Sequence, residues 1–215
     1  YAFFRHLSKA MGPNDILVGD CGGNVVCLNH AFETKYGQRV ISNHGNSPMG
    51  FSMAGAIGAW FASNRKGNVV CTIGDGGFQM NIQELQTIKH YNIPIKVFII
   101  NNKQYGITKA YQKANMGGRT LACGPDGYRV PNFQKIVEDY GIGCWRLDTL
   151  ADSPKLPGDV DMFFRDAMSY QSPMVVDVRC PGFDEYLPKI EGWNTPIHDM
   201  TPKLPADELA ALMET

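Results

Sequence analysis

Apolar residues in this chain fall into short unbroken runs, separated by stretches in which they recur every three or four positions. The runs at 16–20 (ILVGD), 68–73 (NVVCTI), 95–100 (IKVFII) and 173–180 (PMVVDVRC) are nearly continuous rather than alternating, the pattern of strands covered on both faces. Residues 38–42 and 144–149 (CWRLDT) read as two further short strands. Helical spacing appears at 2–11, stopped by Gly12-Pro13, and again at 24–36, 81–91, 133–140, 160–170 and 205–213. Residues 51–64 carry no charge before Arg65 and are rich in Ala and Gly, as expected of a helix packed closely on a sheet. Six strands interleaved with helices predict an α/β fold: a doubly wound, mostly parallel six-stranded sheet with helices on both faces. Residues 1–182 form the predicted domain, and 183–215, irregular and proline-rich, form a tail ending in the short helix. The glycine-rich, polar stretch 103–132 is longer than an ordinary connection and reads as a functional loop.

The stretch 74–102, GDGGFQMNIQELQTIKHYNIPIKVFIINN, organises this pattern. A strand runs into a glycine turn, a helix follows, and a second strand ends on two asparagines. A strand–helix–strand unit of this kind is right-handed with parallel strands, so Asp75 and the Asn101–Asn102 pair share the carboxyl-terminal edge of the sheet. Open α/β sheets bind ligands at that edge. A carboxylate and an amide beside a glycine turn suit a hard cation that holds a phosphate, with backbone N–H groups on the anion. The plain alternatives are an N-cap carboxylate for Asp75, a tight turn for the glycines and a strand-end turn residue for Asn101. Other phosphate loops do not fit: no lysine completes a GxxxxGK[ST] loop, and Gln79 stands where GxGxxG needs glycine.

The net charge of −1 gives no electrostatic reason to expect nucleic acid or an anionic membrane as partner. No apolar run reaches membrane-spanning length and no signal peptide is visible. Six dispersed cysteines, Cys21, Cys27, Cys71, Cys123, Cys144 and Cys180, form no CxxC pair, so neither a disulfide framework nor an iron–sulfur cluster is expected, and a reducing cytoplasm is the simplest location. The five histidines show no metal spacing, and only His44, before Met49, is placed to reach a substrate. Tyr1 falls inside a predicted helix, so a fragment of a longer chain is expected.

GDG followed by NN, with Asn102 27 positions beyond Asp75, resembles the signature of thiamine diphosphate enzymes. The interior MNIQELQT…IPIKVFIINN and the upstream NSPMGFSMAGAIGAW are most similar to the acetolactate synthase and pyruvate decarboxylase group, in particular to the C-terminal diphosphate-binding domain of acetolactate synthase-like large subunits. The resemblance implies thiamine diphosphate and Mg²⁺ as cofactors. Asp75 and Asn102 would be side-chain ligands of the metal, and Gln104 would supply a backbone carbonyl. Gly74, Gly76, Gly77 and Phe78 would line the diphosphate, with Tyr105, Gly106 and Ile107 following it. Gly22, Gly23 and Asn24 fall where synthase relatives carry a Gly-Gln-His diphosphate contact, with Asn24 departing from the histidine. Met49 resembles the bulky apolar residue that bends the cofactor, bringing its 4′-amino group towards the thiazolium C2, and Ser47 would lie close to the pyrimidine. Glu84 matches the family pattern, with a structural role expected.

The resemblance also implies what lies elsewhere. The glutamate that activates the pyrimidine comes, in this family, from a pyrimidine-binding domain on the same or a second subunit. Neither that domain nor a middle domain is recognisable here, so no catalytic residue is expected in this chain, and the active site is expected at an interface of a homodimer or homotetramer. The expected reaction is decarboxylation of a pyruvate-like 2-keto acid followed by transfer of the acyl unit to a carbonyl acceptor, with a keto-sugar among the acceptors. A simple 2-keto acid decarboxylase, the β-subunit of a 2-oxoacid oxidoreductase and a non-catalytic cofactor-binding domain are the alternatives.

Overall fold

A computed structural model describes residues 1–64, 66–148, 159–180, 182–190, 194–196 and 199–214. Thr149, at the end of a predicted strand, and His198 lie outside the described residues. The chain divides into two compact units, Tyr1–Asp184 and Glu185–Thr215.

Six strands of the first unit, β1 (Ile16–Gly19), β2 (Arg39–Ile41), β3 (Val69–Gly74), β4 (Lys96–Asn101), β5 (Gly143–Asp148) and β6 (Met174–Arg179), form one sheet in the order β2-β1-β3-β4-β6-β5. Every pairing is parallel. The four inner strands are the continuous apolar runs, while β2 and β5 at the edges are partly exposed. Alternate residues of each strand feed opposite layers. On one face, Val18, Cys71, Ile73, Val97 and Ile99 pack with Met53, Ala56 and Trp60 of α3 (Phe51–Ala62), Leu85 and Ile88 of α5 (Glu84–His90), and Phe133 and Val137 of α7 (Phe133–Asp139). On the other, Phe98 meets Phe3 of α1 (Ala2–Ala10) at 5.3 Å between ring centroids and Phe164 of α8 (Val160–Ser169) at 5.9 Å.

Three elements differ from the sequence reading. The turn expected at 21–24 is the start of α2 (Gly22–Ala31), which ends five residues before the predicted boundary at Tyr36. The residues released there cap α1: Lys35 Nζ donates to the carbonyls of Ser8, Lys9 and Met11, and Gln38 Nε2 to those of Met11 and Gly12. The glycine turn expected after β3 is a short helix, α4 (Asp75–Met80), that begins on Asp75 with no connecting residue; α5 follows after Asn81–Gln83. The predicted loop 103–132 contains α6 (Gly106–Asn115), whose only buried residue is Gly106; its stripe of Ile107, Ala110, Tyr111 and Ala114 is short and set among glycines and polar residues.

In the second unit β7 (Lys189–Ile190) pairs antiparallel with β8 (Met200–Thr201), and α9 (Ala206–Met213) matches the predicted short helix. No described helix is long and apolar enough to cross a membrane.

Candidate functional site

The strand order places β1 between β2 and β3, so the chain leaves β1 to one side and returns on the other. The crevice outside the carboxyl ends of β1 and β3 is therefore the topological switch point, the usual ligand site of such sheets. Asp20 follows β1 there, Asp75 follows β3, and Asn102 follows β4 one strand further on.

Asp75 is only 2 % exposed. Its Oδ1 accepts from Gly76 N at 2.8 Å and its Oδ2 from Lys103 N at 2.7 Å. Burial pushes its carboxyl up to about 6, against the opposing pull of the Gly76 and Lys103 N–H groups, the Tyr128 hydroxyl and the Gln104 N–H. The Tyr128 hydroxyl also accepts from Gln79 Nε2, and its ring lies 4.1 Å from that of Tyr105. Asn102 donates from Nδ2 to the carbonyl of Phe183 at 3.0 Å, while its Oδ1 accepts a long 3.4 Å bond from Gln104 N. The Gln104 side chain is buried, with Nε2 on the same Phe183 carbonyl and Oε1 accepting from Lys109 Nζ.

Gly76 brings three of the sequence-predicted residues together. A Cβ there would lie 2.5 Å from Tyr105 Cε1 and 2.9 Å from the Met49 methyl. Met49 is 37 % exposed, on the loop after Ser47, which is itself exposed with φ +45°. Gly22 faces Ile107, whose Cγ2 is 3.3 Å from where its Cβ would be. Gly74 and Gly23 are half-buried, and nothing lies within 4 Å of a Cβ built on Gly74. Phe78 turns its ring into the core against Phe133, leaving only its backbone towards the edge.

Asn24, Asn101, Glu84 and His44 complete the residues singled out in the sequence. Asn24 is buried in α2 with Nδ2 on the Thr72 carbonyl, so its amide nitrogen is engaged inside the sheet layer. Asn101 is a buried strand-end residue, donating to Asp177 Oδ1 at 2.8 Å. Glu84 sits half-buried in the first turn of α5, and His44 is exposed.

Sequence reasoning missed Asp20. This buried carboxylate accepts from Gly50 N on Oδ2 and from Ser52 N on Oδ1, and so fixes the loop that carries Met49. Burial pushes its carboxyl above the usual range, opposed by the Ser52 and Gly50 N–H groups. Its signal was present in ILVGD, where a carboxylate closes an apolar strand. Asn81 reinforces the same loop by donating from Nδ2 to the Gly50 carbonyl. Tyr128 and the Phe183 carbonyl had no sequence signal, since both reach the site through tertiary contact.

The donor set fits a hard cation. A buried carboxylate, an amide oxygen and backbone carbonyls are the ligands such ions prefer. No group of three or more His, Cys, Asp or Glu able to hold a metal occurs among the described residues, so anionic oxygens of a second ligand would have to complete the coordination. Phosphate oxygens have that chemistry.

Residues 20–178 match the family described as thiamine pyrophosphate enzyme, C-terminal TPP binding domain. Similar proteins include a probable acetolactate synthase large subunit of Methanococcus aeolicus, 34% identical over 167 residues covering 78% of this chain and 26% of that protein. The acetolactate synthase large subunit of Lactococcus lactis is 34% identical over 178 residues, 81% of this chain and 28% of that protein. That of Porphyra purpurea is 33% identical over 185 residues, 79% and 29% respectively. The chain thus matches less than a third of the length of these relatives.

Proposed function

We propose, for a chain that belongs to the thiamine pyrophosphate enzymes as their C-terminal TPP-binding domain, that its carboxyl edge holds the diphosphate of the cofactor through a Mg²⁺ ion. Asp75, Asn102 and the Gln104 carbonyl would be the protein ligands of that ion. The observation that carries this reading is the buried Asp75 carboxylate, held by backbone N–H groups beside Asn102 at the switch point of the sheet. A buried carboxylate held only by neutral donors is electrostatically incomplete, and a divalent cation supplies the missing charge. The backbone of Gly74, Gly76 and Gly77 would approach the phosphates, with Gly22, Gly23, Gly106 and Ile107 along the same rim. Met49, held over Gly76 through the Asp20 clamp, would support the body of the cofactor, with Ser47 and Tyr105 beside it.

Thiamine diphosphate, when bound, supplies the electron sink for cleaving the bond next to a keto group. The names of the relatives support a 2-keto acid of the pyruvate type as substrate, with transfer of the acyl unit to a carbonyl acceptor, over simple decarboxylation. The share of the relatives' length matched here supports a shared site. Another domain, on the same or a partner subunit of a homo-oligomer, would contribute the activating carboxylate. The dispersed thiols support a reducing, cytoplasmic setting.

Calorimetric titration of the complete protein with thiamine diphosphate, with and without Mg²⁺, tests the site. Binding that requires the metal and disappears in Asp75→Ala is the expected result; a folded complete protein that binds neither overturns it. Pyruvate turnover that yields free acetaldehyde rather than a condensed product would replace transfer by simple decarboxylation.

A further inference from the structure

The chain leaving β6 returns to the exit of β4 and is fastened there. Cys180 N donates to the Asn101 carbonyl at 2.9 Å and Gly182 N to the Asn102 carbonyl at 3.4 Å. The Phe183 carbonyl then receives Asn102 Nδ2 at 3.0 Å and Gln104 Nε2 at 2.9 Å. The next residue, Asp184, is anchored on α6: its Oδ2 lies 2.7 Å from Lys113 Nζ and 3.1 Å from Lys109 Nζ. Lys109 Nζ also donates to Gln104 Oε1 at 2.9 Å, closing a ring through Asp184, Phe183, Gln104 and Lys109. The Asp184 side chain is 10% exposed, against 25% for Lys109 and 49% for Lys113, so the carboxylate is sheltered while Lys113 reaches it from the surface.

A carbonyl can only accept, whereas an amide side chain has one donating and one accepting end. The Phe183 carbonyl therefore decides which end of Asn102 faces which way: Nδ2 is held on Phe183, and Oδ1 is turned to the opposite side. Without that acceptor the amide could rotate and present N–H groups where a cation needs oxygen.

We propose that Asp184 is a positioning residue for the cation site. By bridging Lys109 and Lys113 it holds the Phe183 carbonyl in place, and the carbonyl keeps Asn102 Oδ1 available as a metal ligand. The inference rests on the reading of Asn102 as such a ligand. Partners that orient a ligand in this way commonly change metal affinity ten- to a hundredfold when removed.

The test uses the complete protein and titrates Mg²⁺ at fixed thiamine diphosphate, following binding by calorimetry. Asp184→Asn keeps the shape and removes the charge, and Lys113→Met removes the partner from an exposed position. Each variant is expected to raise the Mg²⁺ concentration for half-maximal cofactor binding at least roughly tenfold, with the double variant no worse than the more affected single one. Side-chain amide NMR of Asn102 should broaden or shift in both variants, a change that a merely structural contact elsewhere would not produce. Wild-type Mg²⁺ dependence in folded Asp184→Asn and Lys113→Met overturns the inference. So does a lowered melting temperature with unchanged Mg²⁺ dependence. A wild-type protein that binds no cofactor with Mg²⁺ instead overturns the reading of the site itself.

Discussion

At the scale of single residues the candidate site depends on what is missing as much as on what is present. A Cβ at Gly77 would collide with Asp20 Oδ2 and one at Gly76 would meet the Tyr105 ring. Neither side has slack, because Asp20 is already committed to two backbone N–H groups and Tyr105 is held by its own N–H on the Cys123 carbonyl. Gly77→Ala is expected to lower stability by about 1–3 kcal/mol as an overpacked site, measured by urea unfolding. Asp20→Ala leaves the Gly50 and Ser52 N–H groups buried without a partner, at about 1–3 kcal/mol each. Because that change releases the Met49 loop, it should also weaken cofactor binding in calorimetry, and unchanged binding would remove Asp20 from the account of the site. The glycines themselves were legible, but as a turn: glycine is the poorest helix former after proline, and sequence alone does not show the carboxylate and ring that require it here. Asp75 was legible because its position follows from two apolar strands and one helix.

At the scale of elements, burial overrides local preference in β4. Lys96 is 1 % exposed, with Nζ on the Pro94 carbonyl at 2.7 Å. Burial pulls its ammonium down to about 8, partly offset by the charge of Asp15. A lysine whose folded value lies below its unfolded one binds fewer protons folded than unfolded between about pH 8 and 10, so its contribution to stability rises through that window and is lost as pH falls. Lys96→Met should therefore be more stable than the wild type near pH 7, with the gap in melting temperature closing as pH rises past 8. A gap independent of pH would refute the assignment. Before edge strand β2, Lys35 caps three carbonyls of α1, and Lys35→Ala should cost on the order of 1 kcal/mol in urea unfolding. That cap explains why the helix expected to reach Tyr36 stops at Ala31. The inner strands were readable because burial on both faces leaves unbroken apolar runs. α6 was not: Ile107, Ala110, Tyr111 and Ala114 do recur at helical spacing, but Ile107 and Tyr111 are exposed and the many glycines around the segment read as a loop.

For the whole molecule, the parallel sheet gathers residues from distant parts of the chain at one edge, and binding there should be felt as global stability. In the complete protein, thiamine diphosphate with Mg²⁺ at a hundredfold excess over Kd should add about 2.7 kcal/mol, and chelation with EDTA should abolish the gain in a thermal melt. An equal gain with and without the metal would argue against a bridging cation. The same topology orders assembly in time. An all-parallel sheet has no hairpins, so each pairing must wait for a crossover to close. The register of β3 with β4, Val70 opposite Lys96, spans one short crossover, whereas β1 must wait for β3 across two helices and β4 must wait for β6 across the whole of α6, α7 and α8. Among the four inner strands, the pair that carries Asp75 and Asn102 therefore closes the smallest loop. The folding nucleus and the candidate cation site are expected to be the same piece of chain. Val97→Ala should then slow refolding, while Val175→Ala should mainly speed unfolding.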